Sequence, residues 1–477
     1  MLFNSIAFAL FLPIVFSLYW LIGRDRFKAQ NAFMIVASYV FYGWWDWRFL
    51  FLIFISSVVD FILGLRIPKT ESPRGRKALL LLSLLVNLGI LGFFKYFNFF
   101  IDSFAALISS VGLQANVPSL RIILPVGISF YTFQTLSYTL DIYRGKLKPT
   151  QDPVAFFAFV SFFPQLVAGP IERARNLLPQ FFGTRTFDRA RAQDGLRQML
   201  WGFAKKMIVA DTMAPHVQKI FENAGSLDGL TLLMGAFFFA MQIYCDFSGY
   251  SDIAIGTSRL FGFDLSRNFA YPYFSRDIGE FWRRWHISLS SWFRDYVYIP
   301  LGGSFVTKYR QMFNIFVTFT VSGLWHGANW TFVIWGALNG LYYFPLMLAN
   351  KQGQYKDTVA WDRVFPPFRE ALGIASTFSL TLLAWVFFRA SSVGDAGDYI
   401  IRAFSTPWMD IDHIQYFKVL PYGIFPLVVE WYRRTKEHGM DISGVPQLIR
   451  WMIYLLMITG IIVFGKFGSQ EFIYFQF

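Results

Sequence analysis

The sequence predicts an all-α polytopic membrane protein, and three observations carry that expectation. Hydrophobic residues fill 55% of the 477 positions and charged residues only 15%, against about 25% charged in soluble domains. Apolar runs near the length of a membrane span recur along the chain. The charge that is present gathers between those runs, as it does in loops that flank spanning helices.

The runs follow one another in order. Phe3–Ile22 comes first; it lacks a basic leader and a small-residue cleavage site, so it reads as a spanning helix rather than a cleavable signal peptide. Phe49–Leu65 and Ala78–Phe94 follow. Ile123–Gly145 and Pro153–Pro170 are interrupted by Pro and Gly and studded with hydroxyls. Irregular backbone at membrane depth survives only where protein or water satisfies it, so these two pieces are expected to dip in and line a cavity. Gly229–Tyr244, Gln311–Leu324 continuing into Trp330–Leu348, Ala371–Phe388 and Trp451–Phe464 complete the set, with Lys351–Arg369 as a polar loop. At about 20 residues per span, the chain holds roughly eleven to thirteen spanning, broken or re-entrant segments. No internal repeat or soluble domain interrupts residues 1–477, so a single membrane domain is expected.

Net charge is +13. Because the basic residues sit between apolar runs, they read as topology signals and anionic-lipid contacts rather than a nucleic-acid surface. Gly23–Lys28, Arg66–Lys77, Gly169–Gln198 and Arg433–Gly439 are the basic loops and face the cytoplasm on this rule. The last helix then runs outward and leaves Ser469–Phe477 on the outer face. Arg144–Lys148 also favours the cytoplasm, which fits only if one segment before it fails to cross. Cys245 is the sole cysteine, so neither an intrachain disulfide nor a cysteine zinc site can form. No Gly-rich phosphate loop, G-x-S-x-G elbow or H-E-x-x-H sequence occurs.

Ionisable groups within membrane segments are costly and therefore functional candidates. Of five histidines, His216, His413 and His438 lie among polar neighbours and read as solvated loop residues. His326 sits in "VSGLWHGANWTFVIWG". On a continuous helix Ser322 and Asn329 share its face, so Asn329 is placed to fix the ring tautomer. Gly323, Gly327 and Ala328 admit a close neighbouring backbone, and Trp325 and Trp330 exclude water. Two readings stand for this ring: a general base in a dry site, or a structural histidine bonded between helices. His286 lies in "RDIGEFWRRWHISLSSWFRDYVYIPLGG". Read as one interfacial helix, this stretch groups Trp282, His286 and Phe293 on a face, with Arg283, Arg284 and Arg294 interspersed. It is an aromatic anchor, a phosphate-attracting collar, or both. In "QIYCDFSGYSDIAIG", Asp246 and Tyr250 are four apart and share a face. They suit a proton path, a metal or a helix junction equally. Neither His286 nor His326 has a carboxylate at ligand spacing, so no metal is expected.

Several segments together resemble the membrane-bound O-acyltransferase superfamily, in its bacterial alginate O-acetyltransferase-like branch. They are "MLFNSIAFALFLPIVFSLYW", "FFPQLVAGPIERARNLLPQF", "QIYCDFSGYSDIAIG", "NFAYPYFSRDIGEFWRRWHISLSSWFRDYVYIPLGG", "LWHGANWTFVIWGALNG" and "FIYFQF". The resemblance implies a bundle of broken helices around a central tunnel in the bacterial inner membrane. His326 would stand at the tunnel's narrowest point and His286, the second family histidine, on the cytoplasmic side, both as catalytic histidines. Acetyl-CoA would be consumed as the acyl donor, held at Arg283 and Arg284, with no tightly bound cofactor. The acceptor would be reached from outside through an extracytoplasmic serine-hydrolase-like transferase serving a polysaccharide. Tyr474, in the terminal aromatic motif 469–477, corresponds to a tyrosine proposed to relay the acyl group. Ser322, Trp325, Asn329, Asp246 and Tyr250 would line or orient the site. D-alanyl or other acyl transfer to a cell-wall polymer is the neighbouring reading. A transporter or channel without acyl chemistry, and a scaffold for an outer-face enzyme, are the rival classes.

Overall fold

The computed structural model describes residues 1–113, 120, 122–167, 169–408, 414–467, 472 and 473, and these form helices with no strands. The chain divides into two compact units, one of residues 1–192 and 257–265, the other of residues 193–256 and 266–477.

The first unit carries α1 (Ile6–Leu21), α2 (Phe27–Asp46), α3 (Leu50–Arg66), α4 (Pro73–Leu91), α5 (Phe97–Ser110), α6 (Ile128–Tyr143) and α7 (Pro153–Ser161). Ser5 caps α1, its hydroxyl accepting from Phe8 N, which satisfies one of the amides a helix start leaves open. Between apolar helices in lipid, polar side chains supply the adhesion that hydrophobicity does not. Here Asp60 of α3 accepts from Ser83 and Asn87 of α4 at 2.6 and 2.9 Å, and Asn87 accepts from Ser56 and from Thr135 of α6. Sequence reading passes over α2, whose Gln30 and Asn31 dilute its hydropathy. Both are buried and meet Arg185, the shorter distance being 2.7 Å from its guanidinium to Asn31 Oδ1.

The second unit holds α8 (Arg189–Phe203) from Gln193 onward, α9 (Asp211–Glu222), α10 (Gly229–Leu260) as far as Gly256, α11 (Ile278–Arg284), α12 (Ile287–Phe293), α13 (Lys308–His326), α14 (Trp330–Leu348), α15 (Phe368–Arg389), α16 (Val393–Ser405), α17 (Leu420–Tyr432) and α18 (Gln447–Phe464). A π-helical stretch, Ala204–Ala210, joins α8 to α9. The apolar run expected to end at Tyr244 continues to Leu260. At 32 residues α10 is about 48 Å long, more than the ~30 Å hydrocarbon core.

α13 and α14 pack backbone to backbone in opposite directions. A Cβ on Gly323 would lie 2.2 Å from Phe332 O, and one on Gly336 would lie 2.3 Å from Phe319 O. Lys308 Nζ donates to Leu348 O at 2.9 Å, tying the far ends together. α15 returns antiparallel to α14, with Phe388 against Phe332 and Trp385 stacked on Trp335. On α18, Leu448, Leu455 and Leu456 are about 70% exposed, a lipid-facing surface too large and too apolar for water. Among the described residues, six helical stretches are long and apolar enough to cross a membrane.

Candidate functional site

Two expectations about helical faces are corrected by the structure. The stretch around His286 is not one helix. It breaks there into α11 and α12, and His286 itself takes φ 42°, ψ 55°. That left-handed conformation is uncommon for a residue with a side chain, His being among the more tolerant. Asn268 holds the break open: its carbonyl accepts from Ile287 N at 2.9 Å and its Oδ1 from Ser288 Oγ at 2.9 Å, while its Nδ2 donates to Ser251 Oγ at 3.1 Å. Nor do Ser322, His326 and Asn329 share one helix. His326 ends α13, Gly327 is extended, and Asn329 caps α14. The Asn329 amide accepts from Thr331 N and donates to Ser391 O at 3.1 Å rather than to the imidazole. A glycine is needed at 327 because Phe332 fills the space beside it: a Cβ there would lie 2.1 Å from that ring.

These breaks bring the two histidines together. Their ring centroids are 6.4 Å apart, and both rings are buried. His326 stands among Trp325 and Trp335, each at 5.0 Å, and Phe388 at 5.4 Å. Trp330, expected to help exclude water, is 55% exposed; Trp335 and Phe388 take that part. Phe247 meets the His286 ring edge-on at 4.5 Å.

A cavity of about 520 Å³ runs beside α13 from Gln311 to Ser322, one turn short of His326, with Trp282, Arg283, Ser290 and Arg294 on its walls. Arg283 and Arg284 therefore part company. Arg283 faces the cavity, whereas Arg284 donates to Glu280 Oε1 at 2.9 Å and to the Ala270 and Asp357 carbonyls. The basic pair on the cavity is Arg283 with Arg294, because the break at His286 re-aims everything after it. The guanidinium of Arg276 completes the Glu280 cluster and, by hydrogen bonding to Asp357, holds that carboxyl below its usual range.

A second cavity, of about 710 Å³, lies at the opposite end of α13, α14 and α15, lined by Phe221, Glu222, Arg389, Ser391, Asp398 and Arg402 among others. The Asn329–Ser391 bond ties its wall to the loop that follows His326. The guanidinium of Arg389 lies 5.6 Å from the centroid of the Phe221 ring.

Asp246 and Tyr250 do share a face of α10. Asp246 Oδ1 lies 2.8 Å from Lys206 Nζ, and the Tyr250 ring packs against Phe472 at 4.5 Å. Lys205 and Lys206 escape a reading by motif, though the signal is legible: two adjacent ammonium groups inside the apolar stretch "WGFAKKMIVA". Lys205 Nζ reaches Asp252 at 2.7 Å and Ser248 at 2.8 Å, and Lys206 Nζ also reaches Asp211 at 2.8 Å. Of the histidines expected to be solvated, His438 is instead buried and lies 3.2 Å from Asp194. His216 is half-buried on α9 with its ring edge to Tyr416, and His413 lies outside the described residues. Tyr474 lies outside them too.

Residues 147–367, which contain His286 and His326, match the family described as MBOAT, membrane-bound O-acyltransferase. A Pseudomonas aeruginosa protein named probable alginate O-acetylase AlgI is 42% identical over 395 residues, covering 82% of this chain and 73% of its own. A Pseudomonas putida protein of the same name is 36% identical over 504 aligned positions, covering both chains in full. A Helicobacter pylori protein named peptidoglycan O-acetyltransferase is 34% identical over 428 residues, covering 83% of this chain and 78% of its own.

Proposed function

The chain belongs to the membrane-bound O-acyltransferase family, and on that premise we propose that it carries acetyl from cytoplasmic acetyl-CoA to a hydroxyl serving O-acetylation of an extracytoplasmic, alginate-like polysaccharide. It is a multi-pass membrane enzyme. The bacterial inner membrane is its proposed location, and a serine-hydrolase-like protein on the outer side its proposed partner.

The single observation that carries the catalytic reading is the place of His326: a buried imidazole at the end of α13, one turn beyond the cavity that ends at Ser322 and tied through the Asn329–Ser391 bond to the wall of the second. In the proposed reaction the donor enters beside α13, its phosphates at Arg283 and Arg294. The attacking hydroxyl, of Tyr474 or of a partner serine, gives its proton to His326 as its oxygen bonds to the thioester carbonyl carbon. The carbon–sulfur bond breaks, and the imidazolium returns the proton to the leaving thiolate. Trp325, Trp335 and Phe388 keep water from competing as nucleophile. His286 presses on the same cluster from the donor side and supports its shape. Carriage of the acyl group by Tyr474 follows from sequence likeness alone.

Replacing both Arg283 and Arg294 by Ala is expected to raise the donor KM by roughly tenfold or more, since each charge-assisted hydrogen bond to a phosphate contributes about 1.5 kcal/mol. kcat should change little, the signature of weakened uniform binding. Steady-state kinetics with acetyl-CoA checks this; an unchanged KM removes the two arginines from the donor site.

The overall reading is tested with labelled acetyl-CoA and purified protein, together with the acetyl-ester content of polymers from a strain lacking it. His326-dependent label transfer and loss of polysaccharide acetyl groups support it. Loss of acetyl from peptidoglycan instead would move the acceptor to that of the Helicobacter relative. Substrate counterflow with no covalent transfer would identify a transporter.

A further inference from the structure

We infer that Asp246, steadied by Lys206, is a positioning residue that fixes the carboxy-terminal segment against the His286 side of the site; this rests on the acyl-transfer reading above. Asp246 Oδ2 accepts the backbone N–H of Ile473 at 2.7 Å, while Oδ1 faces Lys206 Nζ at 2.8 Å. Lys206 has a second carboxylate, Asp211, at 2.8 Å. All three groups are buried. One ammonium thus faces two carboxylates, and the surplus negative charge meets an amide N–H, a charge-assisted bond stronger than one between neutral partners.

The segment it holds is itself buried. Phe472 and Ile473 are 0% and 2% exposed. The Phe472 ring packs on Tyr250 at 4.5 Å and on Phe247 at 5.6 Å, and Phe247 in turn meets His286 at 4.5 Å. A second tether lies upstream, where Lys466 N donates to Met207 O at 3.2 Å, within the same π-helical stretch that supplies Lys206. The segment after α18 is therefore held at two points, Lys466 on the π-helical stretch itself and Ile473 on Asp246 of α10, whose other oxygen faces Lys206 of that stretch. The residue after Ile473 in the sequence is Tyr474, the relay candidate of the proposed reaction.

Asp246→Ala leaves Lys206 paired with Asp211, so no buried ammonium is stranded and the fold should persist. Transfer to acceptor is expected to fall roughly 10- to 100-fold in kcat with donor KM unchanged. Asp246→Asn, which keeps an oxygen for the Ile473 N–H, should recover part of the loss. Carboxypeptidase Y digestion followed by mass spectrometry reads the clamp directly. Trimming of the wild type should stop before Ile473, and trimming of Asp246→Ala should continue past Phe472. Wild-type kcat in Asp246→Ala, or an identical trimming endpoint, overturns the proposal, as does a loss expressed through donor KM. If Asp246→Ala accumulates poorly, Asp246→Asn carries the same comparison, with a partial fall in kcat and a later trimming endpoint expected. Wild-type protein that consumes no acetyl-CoA would instead overturn the reading beneath it, while the trimming result would still decide the clamp.

Discussion

His326→Ala is expected to lower acyl transfer by about 10²–10⁴-fold, the usual contribution of a positioned general base. The ring closes the end of α13, where Gly327 turns the chain and Asn329 starts α14. Gly327 makes its turn in extended backbone and the Asn329 side chain caps α14 through Thr331 N, so the variant should retain the fold and unfold cooperatively in detergent. Truncation removes a proton acceptor from a cluster whose other members, Trp325, Trp335 and Phe388, have no comparable basic atom. His286 is 6.4 Å away, centroid to centroid, too far to replace it at a bond-forming hydroxyl. The check is single-turnover transfer from labelled acetyl-CoA, with thermal unfolding measured alongside. A well-folded variant of full activity would remove His326 from the chemistry.

The second large effect is on stability. Glu280 is 1% exposed and takes five hydrogen bonds: from Arg276 N, Nε and Nη2, and from Arg284 Nε and Nη2. Glu280→Ala leaves the Arg276 guanidinium buried beside Arg284 with only the peripheral carboxylates Asp357 and Glu370 as counter-charge. Breaking a buried pair from one side typically costs about 3–5 kcal/mol. Thermal unfolding in detergent should show a clear fall in midpoint, and, on the proposed donor site, the KM for acetyl-CoA should rise, because α11 carries Arg283 to the cavity beside α13. An unchanged midpoint would mean that the cluster is solvated in solution. A pH dependence of defined sign accompanies it. The Asp357 carboxyl is held low by Arg276, so its contribution is present above the ordinary carboxylate range and is lost as pH falls through the lowered value.

Much of this architecture can be read from hydropathy, because lipid imposes long apolar runs wherever a helix crosses. The breaks are less legible. Around His286 the aromatic and apolar spacing fits a continuous helix; what interrupts it is Asn268, whose hydrogen bonds form only once the chain has folded back. The same tertiary fact decides that Arg294 rather than Arg284 faces the cavity beside α13. At His326 the sequence does carry the sign, Gly-Ala-Asn being a natural stop and cap. The eye follows the apolar period across it and places Asn329 on the wrong helix. α2 escapes for the opposite reason: its buried amides belong to a polar interior that hydropathy penalises.

A π-helical turn is an α-helix with one residue more than its ladder requires. Within Ala204–Ala210 the two consecutive lysines diverge, one toward Ser248 and Asp252, the next toward Asp246 and Asp211. A chain shortened there by a single residue would be the more regular helix, yet it would rotate one ammonium out of reach and leave a pair of acids unneutralised in hydrocarbon. The irregularity works as a spacer, matching the pitch of one strut to the charge pattern of the next.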